Sequence, residues 1–293
     1  MNIKDLIYAY IIGDSFGLSR LKNSDIESNK IIDNKNLNIT KGNYSSMTTF
    51  MLSTMDSISS NDKFNITDIL NKMCTSLIVN KYTSDGNFYD LDKTTLEILE
   101  IYMKKNNLSY NYNENDLNGY ALSRVLPIII DNYYKEENLD NFVQLISITN
   151  TNEEVLIGIF ILYKYILNLM NKKDKHKALK IKFPTGFDTK LLKKYKNILK
   201  GNIYYNEIEF NKNIYNILKI IFYVILNTKN FNEIIMMLNN IEGNTNIYSS
   251  LIFTIGYLLY GNSDIIDMKK CIKNKKEINK CINKFGGIYE KIS

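Results

Sequence analysis

Asn244 and Asn246 flank Thr245 directly ahead of a long apolar stretch, 247-IYSSLIFTIGYLLY-260. Polar side chains at i and i+2 before such a stretch either cap the coming helix, as Asn and Thr commonly do, or face a pocket. As amides, the two asparagines donate and accept hydrogen bonds but carry no charge. A second polar pair, Ser45-Ser46, has the hydroxyls of a nucleophile. A serine nucleophile needs an adjacent base, and the sole histidine, His176, lies elsewhere, in a lysine-rich segment. Cys74, Cys271 and Cys281 form no C-x-x-C pair, so neither a zinc site nor a disulfide framework is expected. These residues assign no catalytic group and no cofactor, and the cysteine usage fits a reducing cytoplasm.

The elements that carry these residues read as helices. Pro numbers 2 and Gly 13 among 293 residues, too few for the many tight turns of an all-β chain. Apolar residues recur at spacings of three and four over 3–18, 66–79, 139–148, 153–170, 211–227 and 231–241. A Thr67-Asp68 signal marks the start of the second, and Asn230 with Glu233 forms a capping box for the last. Segments 155–163, 220–226 and 247–260 are apolar almost all round, which predicts a multilayer bundle with 155–170, 211–227 and 247–261 most buried. Polar loops fall near 22–44, 80–92, 105–118 and 172–188, without a linker or repeat. The expectation is one all-α domain over 1–293.

Charge narrows the partners. The net charge of +6 is mild, and Arg20 and Arg124 are the only arginines, so the basic runs 172–182 and 269–280 read as solvated faces with no strong nucleic-acid signal. The apolar runs 155–163 and 220–226 fall short of the roughly 20 residues that cross a bilayer. The N-terminal stretch carries Lys4, Asp5 and Asp14 and reads as a buried helix, not a signal peptide. The lean toward Asn, Ile, Lys and Tyr fits the codon bias of an AT-rich genome.

Five segments carry a resemblance. They are Gly13-Asp14-Ser15-Phe16-Gly17; 42-GNYSSMTTFML-52; Asn118-Gly119 followed by 124-RVLP-127; 147-SITNTNEEV-155; and 230-NFNEIIMMLNNIEGNTNIYSS-250. In this order they resemble the G-D-x-x-G, G-x-W-T-D-D-T-x-x-x-L, N-G-x-x-M-R-x-x-P, T-H and G-G-D-T-D-T elements of the ADP-ribosylglycohydrolase family, relatives of dinitrogenase reductase-activating glycohydrolase. The resemblance implies an all-helical multilayer bundle with two magnesium ions in a cleft, where ADP-ribose is removed from its adducts.

At the positions that the resemblance assigns to metal ligands, this chain has Leu21, Ser45, Ser46, Met47, Asn244, Asn246 and Ile247, and only Thr48 is retained. The family's nucleotide-bordering histidine corresponds to Asn150, and its glycine-rich loop to 84-SDGNFYDLDKTT-95, where Gly86 alone survives. Magnesium needs hard oxygen ligands, usually with one or two carboxylates. Amides and hydroxyls leave the charge of two such ions uncompensated, so no metal is expected, and Asn244 and Asn246 read as a neutralised ligand pair. Gly13 and Gly17 are expected to permit close helix packing, with Asp14 the one acidic residue left near the site.

Ser45, Ser46, Asn118, Gly119, Asn150, Asn244, Thr245 and Asn246 form the expected ligand-binding set, with Tyr89 or Tyr120 to stack on a base. The function this implies is an inactive relative that holds an ADP-ribose-like or other adenine-nucleotide ligand without hydrolysis. It would act as a sensor, reader or sink, and in a viral setting as a sink that counters host defence. One alternative is a protein-interaction or inhibitor module on the same scaffold with a vestigial cleft. The other is residual metal-independent glycohydrolase activity.

Overall fold

Asparagine caps six of the α-helices among the described residues. The side chains of Asn2, Asn65, Asn138, Asn152, Asn213 and Asn230 each accept a hydrogen bond from a free N–H in the first turn that follows. A computed structural model of the chain describes residues 2–22, 28–61, 63–107, 115–243, 245–261 and 265–290. Its α-helices are α1 (Ile3–Leu18), α2 (Ser46–Asn61), α3 (Ile66–Val79), α4 (Lys93–Lys105), α5 (Val125–Tyr134), α6 (Leu139–Ser147), α7 (Glu153–Met170), α8 (Thr189–Lys194), α9 (Lys196–Leu199), α10 (Ile214–Asn227), α11 (Phe231–Asn239), α12 (Thr245–Tyr260) and α13 (Lys275–Tyr289). Among the described residues no strand forms, and isolated bridges pair only Asn34 with Ile39 and Asn118 with Asn213. The expected all-α class is the observed one. No helix among the described residues is long and apolar enough to cross a membrane.

One continuous hydrophobic cluster runs from Leu6 in α1 to Tyr289 in α13. At its centre α1 lies against α12. A Cβ on Gly13 would sit 2.3 Å from the Ser249 carbonyl oxygen, and one on Gly17 would sit 2.4 Å from Asn246 Cα. Only glycine allows two backbones this close, which is the packing role expected of the Gly13–Gly17 element.

The structure adjusts several expectations. Asn65, not Thr67-Asp68, caps α3, and Asp68 sits in its first turn. Residues 211–213 are a hook before α10, because the Asn213 side chain caps Ile214–Asn227. Glu233 closes its box on the Lys229 N–H at 2.7 Å while Asn230 accepts from the Glu233 N–H at 2.9 Å. Of the helices expected to be most buried, α10 buries 9 of 14 residues. Helices α1 and α2 each bury 13 of 16. Helix α2 escapes a reading by hydropathy because its buried face is largely Ser and Thr. Their hydroxyls bond carbonyls one turn back, as Ser53 does to Thr49 and Thr54 to Phe50. The basic run 269–280 leads into α13, which turns Ile278, Cys281, Ile282 and Phe285 inward.

A methyl group at Gly17 has backbone on its far side and nowhere to move. Gly17→Ala is therefore expected to lower the unfolding free energy by about 1–3 kcal/mol, the usual cost of overpacking. Urea denaturation of the two proteins checks this, and equal stability would show that the helices can move apart.

Candidate functional site

Helix α1 delivers Asp14 into the interior, fully buried. The start of α2 lies against it, and its unsatisfied N–H groups point at the carboxylate. Asp14 Oδ2 accepts from the Ser45 and Thr48 amides at 3.0 and 3.1 Å and from Thr48 Oγ1 at 2.6 Å. Its Oδ1 accepts from Ser45 Oγ at 2.6 Å. Burial raises the Asp14 pKa to about 6, against the pull of these four donors.

Asn246 is fully buried beside this group. Its Nδ2 donates to Ser45 Oγ at 3.2 Å and to Asp90 Oδ2 at 3.0 Å. Asp90 Oδ1 faces Lys212 Nζ at 3.3 Å. A continuous polar chain thus runs Asp14, Ser45, Asn246, Asp90, Lys212. The Asn246 Oδ1 atom has no partner among the described residues. Thr245 Oγ1 donates to the Gly17 carbonyl at 2.6 Å, tying the start of α12 to the end of α1. Asn244 lies outside the described residues.

Asp90 is held in place by backbone. The Ser46 amide donates to the Tyr89 carbonyl at 3.0 Å. Ser46 Oγ and Tyr120 Oη bond each other and lie within 2.8 and 3.0 Å of the Asp90 carbonyl. Tyr120 is thereby buried with its hydroxyl engaged, so it offers no ring face for a base, contrary to expectation. Tyr89 stays half-buried, with its hydroxyl donating to Asp85 at 2.9 Å. On the other side, the Gly119 amide donates to the Lys212 carbonyl at 2.9 Å and the Ile214 amide to the Leu117 carbonyl at 2.8 Å. That pairing brings Lys212 opposite Asp90.

Asn118, Gly119 and Asn150 gather in an adjacent corner, mostly to hold loops. Asn118 Oδ1 accepts from the Tyr120 amide at 2.9 Å and its Nδ2 donates to Asp92 at 2.7 Å. Asn150 Nδ2 donates to the Asp116 carbonyl at 3.0 Å, and its Oδ1 accepts from the Asn152 amide at 2.9 Å. Gly119 packs on Ile214 and Ile217. Buried Arg124 clamps the neighbouring turn by bonds to the Leu145 and Ile146 carbonyls and to Thr149 Oγ1, at 2.9, 3.2 and 2.6 Å. Burial lowers its pKa to about 10. The free space in this corner is only about 10 Å3.

The larger opening is on the other side of Asp90. A cavity of about 370 Å3 is lined by Leu21, Lys22, Asp90, Lys212 and Gly243. Leu21 packs with Leu18 and Ile39, while Met47 and Ile247 point into the core. Sequence reasoning missed Asp90 and Lys212. The run Tyr89-Asp90-Leu91-Asp92 repeats the i, i+2 polar spacing of the asparagines, and that was the available signal.

Comparison of whole folds matches this chain to a solved structure described as an ADP-ribosylglycohydrolase-related protein complex. The match has a TM-score of 0.76 and covers 98% of this chain and 97% of that one, at 12% sequence identity. The fold is of the ADP-ribosylglycohydrolase type. No protein-family model and no curated protein matches the sequence.

The donor set is a poor match for two magnesium ions. Asp14 has spent both oxygens on four hydrogen bonds, and Asp90 has spent its own on Lys212 and Asn246. Leu21 and Met47 supply carbon and sulfur where hard oxygen is needed. Among the described residues no three His, Cys, Asp or Glu side chains come together as a metal-holding group.

The Asp14 carboxyl binds its proton more tightly in the folded chain than in the unfolded one. Its contribution to stability is thus fully present below the unfolded value of 3.8 and is lost as pH rises through about 6. At about 1.4 kcal/mol per pH unit, the loss totals roughly 3 kcal/mol. The stability of the wild type relative to Asp14→Asn should fall by up to that amount over this range. Denaturant titrations at successive pH values check it, and a relative rise with pH would contradict the burial argument.

Proposed function

We propose that this chain is a catalytically inactive, ADP-ribosylglycohydrolase-like protein, one helical domain that binds an ADP-ribose-like or other adenine-nucleotide ligand without hydrolysing it. The polar chain from Asp14 to Lys212 carries the proposal. It occupies the region that the resemblance assigns to the metals and fills it with internal hydrogen bonds and one lysine ammonium. An inactive site follows from donors that are already committed.

Binding is proposed for the cavity beside Asp90. Lys22 and Lys212 at its wall suit a ligand's phosphates, and Asn246 stands one hydrogen bond behind Asp90. Half-buried Tyr89, on the same loop as Asp90, is the ring proposed to meet a base. Hydrogen bonds worth about 0.5–1.5 kcal/mol each, with stacking of about 1–3 kcal/mol, together reach the roughly −8 kcal/mol of micromolar binding.

A second reading, a protein-interaction or inhibitor module, is favoured by the closed corner at Asn118 and Asn150. Their side chains hold loops and leave almost no space. The similar solved structure is itself described as a complex.

Titration calorimetry with ADP-ribose and other adenine nucleotides, with and without EDTA, tests the first reading. Binding should be unaffected by EDTA, the ligand should be recovered unchanged, and added magnesium should show no tight binding of its own. Asn246→Asp should weaken binding about tenfold or more, because its carboxylate would stand against Asp90, behind the phosphate site, and add a negative charge that the single Lys212 ammonium does not offset. Turnover that depends on magnesium would refute inactivity. No binding at millimolar nucleotide would favour the interaction module.

A further inference from the structure

Ten residues along α2 from Ser46, and so about 15 Å away, Asp56 is surrounded by cations. Lys72 and Lys81 Nζ lie 3.6 and 3.4 Å from its Oδ2, and Lys284 Nζ lies 3.0 Å from its Oδ1. The Tyr82 hydroxyl donates to the same Oδ2 at 2.5 Å, and Lys284 also donates to Ser60 Oγ at 2.6 Å. Asp56, Ser60 and these lysines line a cavity of about 310 Å3 that also meets Lys280 and Glu277. Its lysines come from α3, from the turn after it and from α13.

The charges around this cavity are unevenly matched. Asp68 pairs with Lys72 at 3.4 Å, so with Glu277 three carboxylates stand against four ammonium groups among the described residues. Among the described residues Lys280 makes no ion pair. Lys72 and Lys81 share a single carboxylate oxygen, which cannot screen both from each other or from Lys284. Burial works against the Asp56 anion, but the Tyr82 hydroxyl and the Lys284 and Lys72 ammonium groups outweigh it and hold its carboxyl well below the usual carboxylate range. Asp56 is therefore ionised at neutral pH, and among the described residues the lysines around the concave space outnumber the carboxylates by one.

We infer that this cavity is a second anion-binding site, separate from the cleft beside Asp90, that takes a small anion bearing a diphosphate. A diphosphate presents several oxygens in different directions, as lysines converging from three elements require. It also brings more than one negative charge. A monocarboxylate or chloride would answer a single ammonium. The volume sits at the low end of small-molecule pockets.

The test is calorimetric titration of the full chain with inorganic pyrophosphate at fixed ionic strength. The wild type should bind, and Lys280→Gln with Lys284→Gln should weaken binding about tenfold or more. In the Lys212→Gln background, which removes the cleft's lysine, a pyrophosphate site should remain that Lys280→Gln with Lys284→Gln then removes, which separates this site from the one under Proposed function. Lys284 also bonds Asp56 and Ser60, so Lys280→Gln alone, at an exposed residue without an ion pair, guards against misfolding and should weaken binding about threefold. ADP forms a second arm. If ADP binds in the Lys212→Gln background and is lost with the lysine pair, the site reads the diphosphate of a nucleotide; if only pyrophosphate behaves so, the site takes the free anion. Absence of pyrophosphate binding, equal affinity in the lysine variants, or loss in Lys212→Gln would overturn the inference.

Discussion

The contact between α1 and α12 sets the rest of the molecule. Two helices normally pack with their side chains between them, at axial distances of about 8–10 Å. Here Gly13 and Gly17 let one backbone rest on the other. Thr245 and Asn246, at the first turn of α12, are consequently pressed onto the face of α1 that carries Asp14. Thr245 fastens the contact through the Gly17 carbonyl. Any side chain at Gly17 would push Asn246 out of reach of Ser45 and Asp90, and the polar chain would break in its middle.

A buried carboxylate is the second constraint. Taking a charge out of water is costly unless polar groups surround it, and Asp14 is met by the amides and hydroxyls of Ser45, just before α2, and Thr48, in its first turn. The requirement accounts for the hydroxyl at Thr48 in that helix, whose polar first turn is as buried as its apolar middle. Asn246 then serves as a neutral spacer between two acids. Its amide nitrogen donates both toward Asp14, by way of Ser45, and to Asp90, where a carboxylate would add a third negative charge. Lys212 closes the sequence with the one cation in it.

Helix α2 has different chemistry at each end. Its start is satisfied by Asp14 and the 89–90 backbone, within hydrogen-bond networks that leave little charge unanswered. Near its other end, Asp56 gathers lysines from α3, from the turn after it and from α13, in excess of nearby acid among the described residues. One region is neutralised from within and the other invites an anion from outside.

Local patterns in the sequence determined α1, α3, α6, α7, α10, α11 and α12 and the cap of α11, because each depends on residues within a turn or two. The glycines at 13 and 17 were legible as small residues on one helix, but α12 as their partner was not. The amides at 244 and 246, and the hydroxyls at 45 and 46, were visible as departures from a carboxylate pattern. The partners of those groups were not. Asp90 reaches Asn246 across 156 positions, and Ser45 meets Asp14 across 31. Tyr120 looked like a free ring until the fold buried it against Ser46. Asn118 and Asn150, expected as ligand contacts, also brace loops through their amides, and no local pattern pointed to that role. Hydrogen bonds have short reach and fixed direction, so which polar groups are spent and which are left for a ligand is decided only when the helices are packed.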